Sequence, residues 1–181
     1  PHALNLDRGG IIVRWELGEA ANYSQKEYQR DRTWNVKGSN DPTSRHRLFR
    51  RLHDLLKPLS HDQRYDIIDA LHTWSGLQTA VRDSHRPLSS SELIRLAEGN
   101  LIEIAAHSVT HPVLSWLSAA SQRKEIIQCK IYLEQLLGSL VTSFAYPYGH
   151  PNDYTTETID ILREAGFECA CSTIPGRGCR N

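Results

Sequence analysis

An α/β fold with parallel strands covered by helices is the class this sequence predicts, and three observations predict it. From residue 88 onward, amphipathic helical patterns alternate with short apolar runs. That order demands parallel strands joined by crossover helices. Two of the apolar runs end in clusters of chemistry-bearing residues, at the strand edge where open α/β sheets and barrels place their sites. Before residue 88 helical patterns dominate instead. Residues 1–87 therefore read as a mostly helical region and 88–181 as the α/β core of a single domain.

The elements follow in order. Ile11-Ile12-Val13-Arg14-Trp15 reads as one strand, and Asn35 to Pro42 as a loop. Thr43 or Ser44 opens a helix with Leu48, Phe49, Leu52, Leu55 and Leu56 on one face, and Pro58 ends it. Ser60 with Gln63 forms a capping box for the next helix, whose stripe is Ile67, Ile68, Leu71 and Trp74 before Gly76. His46, His53, His61 and His72 lie on or beside these helices and read as solvent or cap residues. Ser89 with Glu92 caps a short helix carrying Leu93, Leu96 and Ala97, and Gly99-Asn100 ends it. A buried strand is expected from Leu101, followed by a loop after Pro112. A long helix then runs from about Ser118 to Leu137, with Ile126, Ile127, Ile131, Leu133, Leu136 and Leu137 inward. Leu140 to Tyr146 reads as a strand. Asp153 or a nearby threonine starts a helix with Ile159, Leu162 and Ala165 inward, Gly166 closes it, and Phe167 to Ser172 is a last strand.

At 181 residues the chain can bury one sizeable core but not two comfortable ones. A formal net charge of zero argues against a nucleic-acid partner, and the charges are interspersed apart from a basic run between Arg45 and Arg51. There is no run of eighteen apolar residues and no signal-peptide pattern at the start, so neither a membrane span nor an export address is expected. The absence of methionine, the abrupt opening on Pro1-His2-Ala3 and the close on Gly178-Cys179-Arg180-Asn181 lead to the expectation of a piece of a longer chain. Cys129, Cys169, Cys171 and Cys179 lack the spacing of a disulfide framework. They read as buried free thiols, which leans the expected compartment toward a reducing cytoplasm.

The chemistry gathers after residue 101. In Leu101-Ile102-Glu103-Ile104-Ala105-Ala106-His107-Ser108-Val109-Thr110-His111-Pro112, two histidines four apart follow an apolar run. A strand end holds the first rigidly, and one turn returns the second to the same side. Neutral imidazoles suit zinc and its first-row neighbours, although a catalytic zinc wants three protein ligands. A bare pair of this kind also serves as caps or surface residues. About thirty residues on, Phe144-Ala145-Tyr146-Pro147-Tyr148-Gly149 ends another apolar run.

Together the two segments resemble the polysaccharide deacetylases, a carbohydrate esterase family. His107-Ser108-Val109-Thr110-His111-Pro112 matches the family's His-(Ser/Thr)-x-x-His-Pro segment, and Pro147-Tyr148-Gly149 matches its groove-wall segment. The resemblance covers about residues 88 to 175. It implies a distorted (β/α) barrel, of which this chain would hold later strands plus a helical insert in its N-terminal half. It implies a divalent metal, zinc foremost, on His107 and His111, and a carbohydrate substrate against Tyr146, Pro147, Tyr148 and Gly149. It also gives Tyr148 a catalytic part, its backbone N–H serving an oxyanion hole. The family's Asp-Asp segment, which brings the base and a third ligand, and its later histidine segment have no counterpart here. Ala145 stands where an arginine is frequent.

Other residues near these motifs carry two readings each. Strand alternation puts Glu103 on the face of Ala105 and His107, where it would either orient a metal-bound imidazole or form a structural ion pair. His150 reads as a loop residue or as a substitute acid, and Trp116 as packing or as a sugar-stacking ring. The functional expectation is metal-dependent deacetylation of an N-acetylated sugar or polysaccharide. The alternative is a catalytically incomplete carbohydrate-binding or scaffold domain.

Overall fold

The computed structural model describes residues 2–8, 11–77, 85–99 and 101–176. Asn100 and Cys179 lie outside these. The chain divides into two compact units, residues 1–80 and 81–181.

The first unit opens on two antiparallel strands, β1 (Ala3–Arg8) and β2 (Ile11–Glu16), pairing Leu4 with Trp15 and Leu6 with Val13. β1 corrects the expectation of a single strand here. Leu4 and Leu6 alternate with Asn5 and Asp7, and Gly9-Gly10 separates the two runs, a hairpin signature in the sequence. A 3-10 turn over Gly18–Asn22 leads to α1 (Gln25–Asp31), capped by a reciprocal Ser24–Glu27 box. After the loop come α2 (Ser44–Leu56) and α3 (His61–Ser75), the latter with the expected Ser60–Gln63 box and Gly76 at φ 65. Leu4, Leu6, Trp15, Leu17, Leu48 and Ile67 form the core of this unit. Phe49 is 56 % exposed and lies edge-on to Trp34 rather than facing that core. His46 is no surface histidine: it is buried, bonded through Nδ1 to the Thr43 hydroxyl at 2.8 Å, with its ring 4.6 Å from Trp34. Arg50 secures the loop between α1 and α2, pairing with Asp41 at 3.0 Å and donating to the carbonyls of Val36 and Gly38.

The second unit carries α4 (Ser90–Ala97), α5 (Ala119–Leu137), β3 (Ser143–Ala145), α6 (Thr156–Glu164) and β4 (Cys169–Cys171). The Ser89–Glu92 box caps α4 as expected. Ser118 caps α5, which stops at Gly138 in the left-handed region. β3 and β4 pair in parallel, Phe144 opposite Ala170, and Ala106 bridges Phe144 in the same sense. The alternation of helices and parallel strands is therefore present, in a mixed α/β unit. Both strands are shorter than the apolar runs that announced them, and among the described residues no barrel closes.

The stretch from Leu101 is the main correction. It holds one bridge rather than a ladder, and Leu101 and Ile102 are 97 % and 48 % exposed instead of buried. Its side chains still alternate: Glu103, Ala105 and His107 are exposed, while Ile104 is half-buried and Ala106 buried. Burial of such a run takes neighbours on both sides, and the described residues supply one. The same reason exposes Cys169 and Cys171, read as buried from their apolar surroundings.

Ala106, Leu114, Ile126, Val141, Phe144, Tyr146, Ile161, Leu162 and Phe167 make the core of this unit. Ile131, expected inward on α5, is 47 % exposed. Gln122 is buried within that core's rim and joins two helices: its amide donates to the Leu117 carbonyl at 3.1 Å and its oxygen accepts from the Thr158 hydroxyl at 2.6 Å. No helix among the described residues is long and apolar enough to cross a membrane.

Candidate active site

His107 leaves the sheet directly after the bridged Ala106, whose N–H donates to the Ser143 carbonyl at 2.9 Å and whose carbonyl accepts from Ala145 at 2.8 Å. That pairing sets β3 beside the first histidine and brings the Ala145 carbonyl to His107 Nδ1 at 2.8 Å. A carbonyl oxygen only accepts, so Nδ1 carries the proton and Nε2 keeps its lone pair. A ligating histidine is usually oriented in this way. Glu103, the carboxylate that strand alternation offered for the task, accepts instead from the Ser143 hydroxyl. The outer partner of His107 is a backbone carbonyl, which no reading of side chains would find.

His111 reaches the site through a turn. The rings of His107 and His111 stand 4.8 Å apart at 67°, and the Tyr148 ring lies 4.7 Å from that of His111. Both motifs thus meet in space. The donor chemistry fits a divalent cation: with metal–nitrogen bonds of about 2.0–2.1 Å, two imidazoles on one ion stand roughly 5 Å apart centre to centre. Among the described residues, however, no group of three or more His, Cys, Asp or Glu side chains gathers as a metal site. The described residues offer a pair of imidazole nitrogens.

Backbone strain is concentrated at this place. Ser108, His111 and Tyr148, at φ 62, 55 and 63, are the non-glycine residues with positive φ among the described residues. Each such conformation costs of order 1–3 kcal/mol and persists where its surroundings over-determine it. Tyr148 sits at the centre of a three-residue turn closed by Gly149 N–H donating to the Pro147 carbonyl at 2.7 Å, a rare and strained form. Behind it, Thr173 N–H donates to the Gly149 carbonyl at 3.0 Å and its hydroxyl to the Tyr148 carbonyl at 3.3 Å. A Cβ on Gly149, itself at φ 71, would stand 2.9 Å from the Thr173 nitrogen.

The turn at 108–111 is held by side chains. The Glu125 carboxylate accepts from the amides of Val109 and Thr110 at 2.9 and 2.8 Å and from the Thr110 hydroxyl at 2.8 Å. His111 N–H donates to the Ser108 hydroxyl at 3.1 Å. One helical turn beyond Glu125, burial pushes the Cys129 thiol up, opposed by the hydrogen bond it receives from the His107 backbone. The sequence signal for Glu125 was available. Gln122, Glu125 and Cys129 fall at helical spacing around Ile126, polar residues set into an apolar face.

The remaining candidates separate. Tyr146 and Pro147 are buried, Tyr146 within the core cluster of this unit. Tyr146 stacks on Tyr154 with centroids 3.9 Å apart, and its hydroxyl is pushed up to about 12, by burial first and then by Tyr154. Tyr148 is half-buried, beside the histidines, and Gly149 provides the close approach to Thr173. His150 is exposed, its N–H donating to Asp153 at 2.9 Å, and Trp116 is 56 % exposed.

The profile described as polysaccharide deacetylase matches residues 66–170, more than half of the chain. A search among curated proteins found no match. A solved structure, the Streptococcus pyogenes deacetylase PplD in complex with acetate, is similar at 25 % identity and a TM-score of 0.42. The similarity covers 47 % of this chain and 36 % of that one, so the chain spans about a third of the length of that protein. The matched profile runs from within α3 through β3 to Ala170 and takes in both the histidine pair and the turn beside it, and the chain belongs to the polysaccharide deacetylase family.

Proposed function

We infer that this chain is part of a metal-dependent deacetylase acting on an N-acetylated sugar or polysaccharide. His107 and His111 would hold the divalent cation, zinc first among the candidates. The observation that carries this reading is the approach of the two rings to 4.8 Å, with Tyr148 packed against the second. Membership of the family supports the deacetylase chemistry and the carbohydrate substrate. The two-stranded parallel sheet and its bridge would be part of a distorted (β/α) barrel, completed by strands beyond those described.

When bound, a divalent cation of this kind polarises an acetyl carbonyl and lowers the pKa of a water from about 15.7 toward 7. The rest is the work of the chain. The Ala145 carbonyl keeps His107 in the tautomer whose Nε2 accepts a cation. The Tyr148 turn would offer its backbone amide as a donor to a developing oxyanion, a contribution of about 3 kcal/mol to the transition state. Glu103 and Ser143 line the same exposed face and would meet the substrate or the rest of the barrel.

A second reading is favoured by two observations. The described residues bring no third ligand to the pair, and the sequence has no adjacent aspartates to serve as base and ligand. By that reading the chain is a catalytically incomplete carbohydrate-binding domain. Acetate release from N-acetylglucosamine oligomers, measured with zinc, cobalt or manganese supplied, separates the two. Release that disappears in His107→Ala and His111→Ala supports the enzyme; sugar binding with no acetate under any of the three metals supports the binding domain.

A further inference from the structure

The turn that carries His111 has no sheet ladder or helix to satisfy its backbone. Buried or half-buried amides must find partners, and here side chains provide them. Val109 and Thr110 present consecutive N–H groups, a concave nest of the kind that binds anions, and the anion is the carboxylate of Glu125 from the neighbouring helix α5. One oxygen takes both amides, and the other takes the Thr110 hydroxyl. The third amide of the turn, that of His111, is closed off by Ser108. Among the described residues Glu125 makes no ion pair, and both of its oxygens accept from the turn.

We propose that Glu125 is a positioning residue for the histidine pair. By gripping the Val109 and Thr110 amides it keeps Ser108 and His111 in their left-handed conformations and so presents the His111 ring beside that of His107. Three features of the geometry converge on this role. Both strained residues flank the two amides that Glu125 holds. Cys129, one turn further along the same helix, packs against the core cluster that buries Ala106, the residue before His107. The helix is itself fixed at its start by the Ser118 cap and by buried Gln122, which ties it to Thr158. A rigid helix thereby sets the separation of two rings that lie on a segment with a single β-bridge. The role rests on the histidine pair being the metal site, and it deepens that reading.

The test compares wild type, Glu125→Ala and the isosteric Glu125→Gln in the full chain, by two independent measurements. Backbone NMR reports whether His111 keeps its positive φ, through its three-bond coupling and carbon shifts, and whether the Val109 and Thr110 amides stay protected from exchange. Cobalt titration reports binding at the pair through the visible spectrum of the ion. Loss of an outer partner weakens metal binding by about 10–100-fold, and this is the effect expected of Glu125→Ala, with faster exchange at both amides and an altered cobalt spectrum. Glu125→Gln, which keeps an acceptor for both amides, is expected to recover most of that loss. A Glu125→Ala protein with wild-type exchange and an unchanged His111 conformation overturns the proposal. So does one whose cobalt affinity falls while the turn stays intact. If the wild type takes up no cobalt, the metal reading fails, and the NMR comparison alone still decides whether Glu125 holds the turn. Should Glu125→Ala not fold, Thr110→Val, which removes one of the three hydrogen bonds, is expected to show a smaller shift in the same direction, and no shift overturns the proposal.

Discussion

The Ala145 carbonyl and His107 Nδ1 are 2.8 Å apart, and through that bond a parallel bridge between two strands becomes the orienting partner of a candidate ligand. The acceptor-only carbonyl makes Nδ1 the protonated nitrogen. Imidazole nitrogen NMR at alkaline pH is therefore expected to find His107 as its Nδ1–H tautomer, with Nε2 bare. A spectrum dominated by the Nε2–H form would contradict the arrangement.

Gly149 is expected to tolerate no side chain. At φ 71, alanine would adopt the left-handed region, and its Cβ would meet the Thr173 nitrogen at 2.9 Å, in the way of the bond between that amide and the Gly149 carbonyl. The left-handed conformation costs about 1–2 kcal/mol, and the lost hydrogen bond adds about 1 kcal/mol. Urea unfolding of Gly149→Ala should show a loss of roughly 2–3 kcal/mol.

Tyr146 links stability to alkaline pH. Its hydroxyl is raised from 10.0 to about 12, mainly by burial. A folded-state pKa above the unfolded value means that the unfolded chain releases the proton first. The stabilisation is whole below pH 10 and is lost as pH climbs through about 12. Thermal unfolding followed between those limits should fall more steeply for wild type than for Tyr146→Phe, which has no phenol to ionise. Parallel curves would show that Tyr146 is not the group responsible.

The bond between Gln122 and Thr158 joins two residues that are almost wholly buried. Thr158→Val keeps the shape but leaves the Gln122 oxygen without its hydroxyl donor and the Thr155 N–H without its acceptor in the cap of α6, and an unsatisfied buried polar group costs about 1–3 kcal/mol. Denaturant melts of Thr158→Val should register that loss. If Gln122→Leu is then added to it, part of the loss should return, since an apolar pair replaces a half-satisfied polar one.

Local signals were legible where the physics is local. The boxes Ser60–Gln63 and Ser89–Glu92, the Ser118 cap and the Gly138 stop lie where hydrogen-bond chemistry within a few residues puts them. The Ser24–Glu27 box obeys the same rule, yet α1 went unread because no apolar stripe accompanies it. Strand lengths were overread at Leu101 and Leu140, because apolar content reports a wish for burial and pairing depends on which neighbour is present. Tyr146 and Pro147 share a motif with Tyr148, but both are buried, while the tight turn centred on Tyr148 leaves that side chain half-buried against His111.

By itself the sequence determined the helices that follow α1, with their caps and stops, and which short segments carry imidazole, proline and glycine at spacings suited to a deacetylase site. These depend on neighbours within a turn or two of chain. Only the tertiary structure decided that His107, His111 and Tyr148 share one place, that a carbonyl rather than Glu103 orients the first histidine, and that Glu125 grips the turn of the second. Each of those contacts joins residues brought together by the pairing of Ala106 with Phe144 or by the packing of a helix, and such distances are set by the whole core rather than by any stretch of its sequence.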